Sequence, residues 1–153
     1  MTCTKRPVAY WVIVSFLSLS TALMLIAQTT PIFDYELAVR LGFQNGADQI
    51  SEFGVQVIRA FCVSDTLVFI PLTVIAQVGL LLRRRWALFA TASVTGISIY
   101  WAVAYGFMVA FLNGMPGYHV VLGVADWIIM GAYVLFGIWG LLYLILRGDR
   151  LRG

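Results

Sequence analysis

Four long apolar runs constrain this chain more than any other feature, because each is long enough to cross the hydrocarbon core of a bilayer, for which about 20 residues suffice. They cover approximately residues 8–27, 59–82, 86–112 and 120–146. The second helix is expected to begin near Asp48, ahead of its apolar run, and to continue through Pro71, so that it is longer than the bilayer is thick.

Composition supports the same conclusion. Hydrophobic residues make up 61% of the 153 residues and charged residues 11%, whereas a soluble domain is about 45–50% apolar and about 25% charged. A water-soluble fold of this size has too little interior to hide so much apolar surface. The sequence therefore predicts a single all-α integral membrane domain, a four-helix transmembrane bundle.

The polar stretch after the first run contains a candidate short helix over residues 31–41. Thr30 and Pro31 form a helix start signal, with the threonine as N-cap and the proline in the first helical position. Apolar side chains recur one turn apart on one face, as Phe33 and Leu37 do. This pattern predicts an amphipathic helix that lies at the membrane interface in the first extracytoplasmic loop.

The distribution of basic residues predicts the orientation of the bundle. Eight of the ten Lys and Arg residues lie before the first run, between the second and third runs, or after the fourth, and only Arg40 and Arg59 lie elsewhere. The positive-inside rule then places both termini in the cytoplasm and the chain, as a multi-pass protein, in the plasma (inner) membrane. No basic run is combined with an aromatic or Gly-rich surface, so nucleic acid is not an expected partner. The expected partners are membrane lipids and the other subunits of a homo-oligomer or a larger membrane complex.

Two carboxylates within apolar runs, Asp65 and Asp126, mark the place where function is most expected. An ionisable side chain inside a membrane costs a few kcal/mol, and such a residue has either a partner or a function. A seven-residue spacing predicts one polar face on the fourth helix, formed by His119, Asp126, Tyr133 and Gly140. If the polar faces turn inward, an outer-leaflet pocket collects Glu52, Arg59, Asp65, Tyr100, Trp101, Tyr105, His119 and Asp126.

Three interpretations of this set are open. In the first, one of the two aspartates pairs with Arg59 or His119 and locks helices together, as in a structural or accessory subunit of a membrane complex. In the second, the pocket binds a lipid, a small solute or a cation. In the third, His119, Asp126 and Asp65 ligate a divalent metal ion in an enzyme that acts on a lipid-linked substrate. The second is the predicted function; no cofactor follows from the sequence, since phosphate-binding loops and nucleophile or zinc motifs are absent.

Several short strings resemble a known class of proteins. They are Ser64-Asp65-Thr66, Ile70-Pro71-Leu72, Arg83-Arg84-Arg85-Trp86, Tyr100-Trp101 and Pro116-Gly117-Tyr118-His119. Over residues 31–126 the chain resembles short four-span bacterial membrane proteins of unassigned function. The resemblance implies the four-span architecture and brings no activity with it. The chain lacks the paired cysteines of quinone-reducing four-helix proteins related to vitamin K epoxide reductase.

Overall fold

The computed structural model describes residues 6–151, apart from the side chains of residues 149 and 150. Four of its helices are long and apolar enough to cross a membrane, and they confirm the predicted all-α four-helix bundle. They are α1 (Val8–Phe33), α3 (Glu52–Leu81), α4 (Ala87–Leu112) and α5 (Val124–Arg147). A short helix, α2 (Tyr35–Arg40), lies between α1 and α3, and a 3-10 turn (Gly148–Leu151) follows α5.

The four long helices form a ring in which consecutive helices are neighbours. Aromatic side chains close the ring between α1 and α5. The rings of Phe16 and Phe136 stack with centroids 3.6 Å apart, and Tyr133 meets Phe16 edge-on at 5.2 Å. The buried stripe of α1 follows the 3.6-residue period, as Tyr10, Ile13 and Leu17 illustrate.

Small residues bring α4 and α5 close together. A Cβ atom built on Gly137 would lie 2.8 Å from the carbonyl oxygen of Thr95, and one on Gly140 would lie 2.8 Å from the Thr95 methyl group. The Thr95 hydroxyl satisfies itself within α4 by donating to the carbonyls of Thr91 and Ala92. Contact between backbones therefore takes the place of larger side chains here, as is usual between membrane helices.

Contacts at the chain ends define the two ends of the bundle. The Arg6 guanidinium donates to the Tyr10 hydroxyl at 2.6 Å and to the Leu81 carbonyl at 3.3 Å, which places the start of α1 beside the end of α3. Gly148, directly after α5, lies against Leu88 near the start of α4. We call this the basic end. The other end, which carries α2 and the two longer loops, is the loop end.

The boundary between α1 and α2 differs from the prediction. α1 continues to Phe33 instead of ending near residue 27, and Pro31 lies inside it rather than starting a new helix. The preceding turn, Leu25–Thr29, is π-helical, and this wider turn makes room for the proline ring. α2 starts after Asp34, whose carboxylate accepts a 2.8 Å hydrogen bond from the Leu37 amide.

α3 is confirmed as longer than the bilayer is thick. It has 30 residues, or roughly 45 Å at 1.5 Å per residue, against ~30 Å of hydrocarbon. It begins at Glu52 rather than near Asp48, because the Ser51 hydroxyl accepts the Gly54 amide and caps the first turn. A second π-helical turn, Asp65–Phe69, precedes Pro71 in α3 just as the first precedes Pro31 in α1.

α5 begins at Val124, four residues later than the predicted start at 120. The chain before it is extended, because it is bonded to the loop between α2 and α3. The His119 amide donates to the Gln49 carbonyl at 2.7 Å, next to an antiparallel bridge between Ile50 and Tyr118. This bridge fastens the two loops of the loop end to each other.

Candidate functional site

The two π-helical turns of α1 and α3 lie against each other in the middle of the bundle. The hydroxyls of Thr29 and Thr66 form a 3.2 Å hydrogen bond between them. π-Helical turns are rare and often occur at functional sites. Each of these two turns has a structural cause in the proline that follows it. The functional question therefore concerns the side chains in these turns.

Asp65 is the first residue of the π-helical turn in α3. Its side chain is half-buried, and the Oδ2 atom is fully buried with no hydrogen-bond partner in the described part of the chain. Sixteen residues separate it from Leu81 at the basic end, roughly 24 Å along the helix. A buried carboxylate oxygen without a donor costs about 1–3 kcal/mol or more, so Asp65 is the residue in the bundle that most needs an explanation.

Tyr133 of α5 provides the second buried polar atom without a partner, its hydroxyl oxygen. Its side chain is 4% exposed. Ser20 of α1, also 4% exposed, lies next to the phenol. Phe16, one turn before Ser20, contacts the same tyrosine ring. The Tyr133 ring is thus packed between α1 and α4.

Arg59 does not serve as the cation for Asp65. Its guanidinium donates a 2.9 Å hydrogen bond to the Ile32 carbonyl, in the last turn of α1. The last four carbonyls of a helix have no partner within it, and the helix dipole favours a positive charge there. Arg59 therefore caps α1, and the described residues show no ion pair between Arg59 and Asp65 or Asp126, which the first interpretation allowed.

Gln44, which no sequence pattern marks as functional, lies between α1 and α3. Its side-chain amide donates to the Ala27 carbonyl at 3.2 Å and contacts the Cys62 sulfur at 3.7 Å. Cys62 is 1% exposed and stands three residues before Asp65 on the same face of α3. The loop after α2 thus reaches into the bundle about one turn above the aspartate.

The predicted fourth-helix face is not formed at its outer end. His119 lies before α5 and is exposed, so it does not share a helix face with Asp126. Asp126 is in the first turn of α5, exposed, and its carboxylate accepts the Gly123 amide at 2.8 Å. This bond caps the helix start, where a negative charge is favourable.

The three predicted metal ligands, Asp65, His119 and Asp126, are not brought together. Asp65 lies within α3, while the other two lie at the exposed loop end. In the part of the chain that the structure describes, no group of three or more His, Cys, Asp or Glu side chains is placed to hold a metal ion. The prediction of a site built from these three side chains is therefore corrected.

The remaining predicted pocket residues separate into two groups. Trp101 and Tyr105 stack with centroids 6.0 Å apart, and Trp101 contacts Tyr133 at 5.4 Å, so these three rings form one aromatic cluster. Tyr100 is 70% exposed and faces away from the core. Glu52 is exposed in the first turn of α3.

Two surface clefts stand out among the described residues, and neither is lined by Asp65 or Tyr133. One is lined by residues between the end of α4 and the start of α5. The other lies between α2 and the start of α3, and Glu52 is the one predicted pocket residue that lines it. Neither of these clefts is the large outward-opening pocket that the sequence predicted.

Ser20, Gln44 and Tyr133 are the residues of this region that were absent from the predicted site. Tyr133 was on the predicted polar face, and Ser20 has a signal as a polar residue deep within an apolar run. Gln44 has no such sequence signal, because its position depends on how the loop folds. No protein-family model, curated protein or solved structure matches this chain.

Proposed function

We propose that this polytopic membrane protein binds a small cation in the interior of its bundle, with Asp65 as the counter-ion. The observation that carries the proposal is the buried Oδ2 atom of Asp65, which has no hydrogen-bond donor among the described residues. A charge inside a membrane is retained where it has a partner or a ligand. The nearest basic candidate, Arg59, is bonded to Ile32, so the charge of the aspartate is left for a ligand.

The proposed ligand is a cation rather than a lipid or a large solute. The Oδ2 atom of Asp65 is buried, and Asp65 lines neither of the two surface clefts, so a headgroup or a sugar would have to displace side chains to reach it. The next residue, Thr66, adds a hydroxyl that bonds to that of Thr29. Such surroundings suit a small positively charged species that has shed most of its water.

The test compares Asp65→Asn with Asp126→Asn, an exposed carboxylate with a capping role. Melting temperature is measured for the full chain in lipid nanodiscs, at constant ionic strength, with sodium, potassium, calcium or tetramethylammonium chloride in place of N-methylglucamine chloride. A ligand that binds only the folded state raises the melting temperature. We expect at least one cation to stabilise the wild type and Asp126→Asn but not Asp65→Asn. An equal response in Asp65→Asn, or no response of the wild type to any cation, would contradict the proposal.

We also propose that both chain termini face the cytoplasm. The support is the concentration of arginine at the basic end, where Arg6 and the α3–α4 connection lie together. Cys3, which lies outside the described residues, is the reporter, since Cys62 is buried. In intact cells a membrane-impermeant thiol reagent should leave Cys3 unlabelled until the membrane is permeabilised. Asp48→Cys, made in a Cys3→Ser background, should be labelled at once; the opposite pattern would overturn the orientation.

A further inference from the structure

The connection between α3 and α4 holds its arginines in a tightly bonded turn. The N–H of Arg84 donates to the Gly79 carbonyl, five residues back, at 2.8 Å, as in a Schellman motif at a helix end. Arg83 takes the left-handed position of this motif with φ 54°, where glycine is the usual residue. The Trp86 indole packs directly on Gly79, since a Cβ atom built there would lie 2.6 Å from the ring. The turn therefore fixes the backbone from which the Arg84 and Arg85 side chains project.

A further arginine reaches the same place from α5. Gly148 lies against Leu88, three residues after Arg85, so Arg147 in the last turn of α5 stands beside the start of α4. Arg84, Arg85 and Arg147 are exposed, and none of them forms an ion pair with a side chain that the structure describes. We call these three residues the arginine patch.

The surroundings of the arginine patch are strongly positive. Residues 82–92 and 141–153 contain six arginines and one acidic residue, Asp149. Arg6, at the same end of the bundle, has a structural role, since its guanidinium donates to the Leu81 carbonyl and ties α1 to α3. Unbalanced positive charge at a membrane surface attracts the anionic headgroups of the adjoining leaflet.

Apolar side chains lie next to the arginine patch. Phe89, in the first turn of α4, and Leu146, directly before Arg147, are largely exposed. The partly exposed indole of Trp86 follows Arg85, as expected for an aromatic residue at a membrane interface. Guanidinium groups bind phosphate oxygens in a bidentate manner, and the exposed apolar side chains are suited to contact acyl chains. The surface therefore offers both kinds of contact that a phospholipid makes, whereas a soluble anion would use the arginines alone.

We propose that the arginine patch binds the phosphate of an anionic phospholipid of the phosphatidylglycerol class, with its acyl chains along Phe89 and Leu146. A zwitterionic lipid fits less well, because its ammonium group would stand among like charges. The bound lipid would join the α3–α4 connection to the end of α5. This inference is separate from the proposed cation site, since Asp65 lies in the middle of the bundle, and it holds for either orientation of the chain.

The experiment measures lipid binding by native mass spectrometry of the purified full chain in a mild detergent, with equimolar phosphatidylglycerol and phosphatidylcholine that have the same acyl chains. The variants are Arg84→Gln with Arg85→Gln, and Arg147→Gln. Arg40→Gln, exposed on α2 at the loop end, is the matched control. A basic residue near anionic headgroups accounts for about a fivefold preference. We expect the wild type and the control to prefer phosphatidylglycerol by about tenfold or more, Arg147→Gln to lose about fivefold of this preference, and the double variant to bind both lipids about equally.

Equal binding of the two lipids by the wild type, or an undiminished preference in the double variant, would contradict the proposal. Should the double variant fail to fold, the single variants Arg84→Gln and Arg147→Gln carry the same test. A parallel titration uses ammonium glycerol 3-phosphate, which has the phosphate but no acyl chains. Retention of the lipid supports a lipid site, and its displacement at equimolar concentration would show a site for soluble phosphate esters instead. Asp65→Asn should keep the wild-type lipid preference, so this result and that of the cation experiment can be told apart.

Discussion

The side-chain amide of Gln44 donates a 3.2 Å hydrogen bond to the carbonyl of Ala27, which stands four residues before Pro31. A helical residue at position 31 would ordinarily donate its own N–H to this carbonyl, but proline has none. The long α1 helix therefore passes through a proline because Gln44, seventeen residues after Ala27, replaces the missing donor.

Removal of this donor should destabilise the fold. Gln44→Ala leaves the Ala27 carbonyl without a partner, and we expect the free energy of unfolding to fall by about 1–3 kcal/mol. Equilibrium unfolding in mixed micelles of mild detergent and dodecyl sulfate measures the change. Gln56→Ala, an exposed glutamine on α3, is the matched control and should change little. In a Pro31→Ala background the N–H is restored, so Gln44→Ala should cost less there; an undiminished cost would contradict this role.

The helix number and order could be predicted from the sequence because a bilayer demands about 20 apolar residues per crossing and few charges. The helix ends could not be predicted in the same way. Thr30 and Pro31 form a start signal that is valid for an isolated segment, yet the turn before Pro31 widens and α1 continues. Local sequence patterns do not show that Gln44 supplies the hydrogen-bond donor that Pro31 lacks, because that contact depends on the folded loop.

The same distinction applies to the candidate site: properties fixed by sequence position could be predicted, and contacts made by folding could not. Asp65 was predicted correctly as a carboxylate within a membrane helix, because sequence position alone determines that property. The bond that Arg59 makes could not be predicted, since it joins a carbonyl of α1 that belongs to another part of the chain. Asp126 does not lie two turns into the fourth helix as predicted, because α5 begins only at Val124. A bridge between Ile50 and Tyr118 holds the preceding segment to the other loop.

Close packing of α4 on α5 should be sensitive to a single methyl group. Gly137→Ala places a Cβ atom 2.8 Å from the carbonyl oxygen of Thr95, a backbone atom that does not move aside easily. We expect a loss of about 1–3 kcal/mol in the free energy of unfolding, as for other overpacked positions. Gly131→Ala on the same helix is the control, since nothing lies within 4 Å of its new Cβ. Equal losses in the two variants would argue against the tight contact.

The Arg59–Ile32 hydrogen bond should contribute to stability independently of Asp65. Arg59→Gln removes a charge-assisted bond to a helix end, and we expect a loss of about 1.5–3 kcal/mol in unfolding free energy. Arg40→Gln, at an exposed position in the last turn of α2, should stay within about 0.5 kcal/mol of wild type. The double variant Arg59→Gln with Asp65→Asn should show additive losses. A coupling above about 1 kcal/mol would mean that the two side chains interact as an ion pair.

Tyr35 should make stability depend on pH in the alkaline range. Its hydroxyl donates to the Asn45 carbonyl at 3.0 Å, and burial, with smaller effects from Cys62 and Tyr105, raises its pKa from 10.0 to about 12. The folded state therefore holds this proton more tightly than the unfolded state does, so the stabilisation is complete below pH 10 and is lost as the pH rises through 12. The measurement is the difference in unfolding free energy between wild type and Tyr35→Phe, which should shrink across this interval. A difference that is constant throughout, or that has already vanished below pH 10, would contradict the raised pKa.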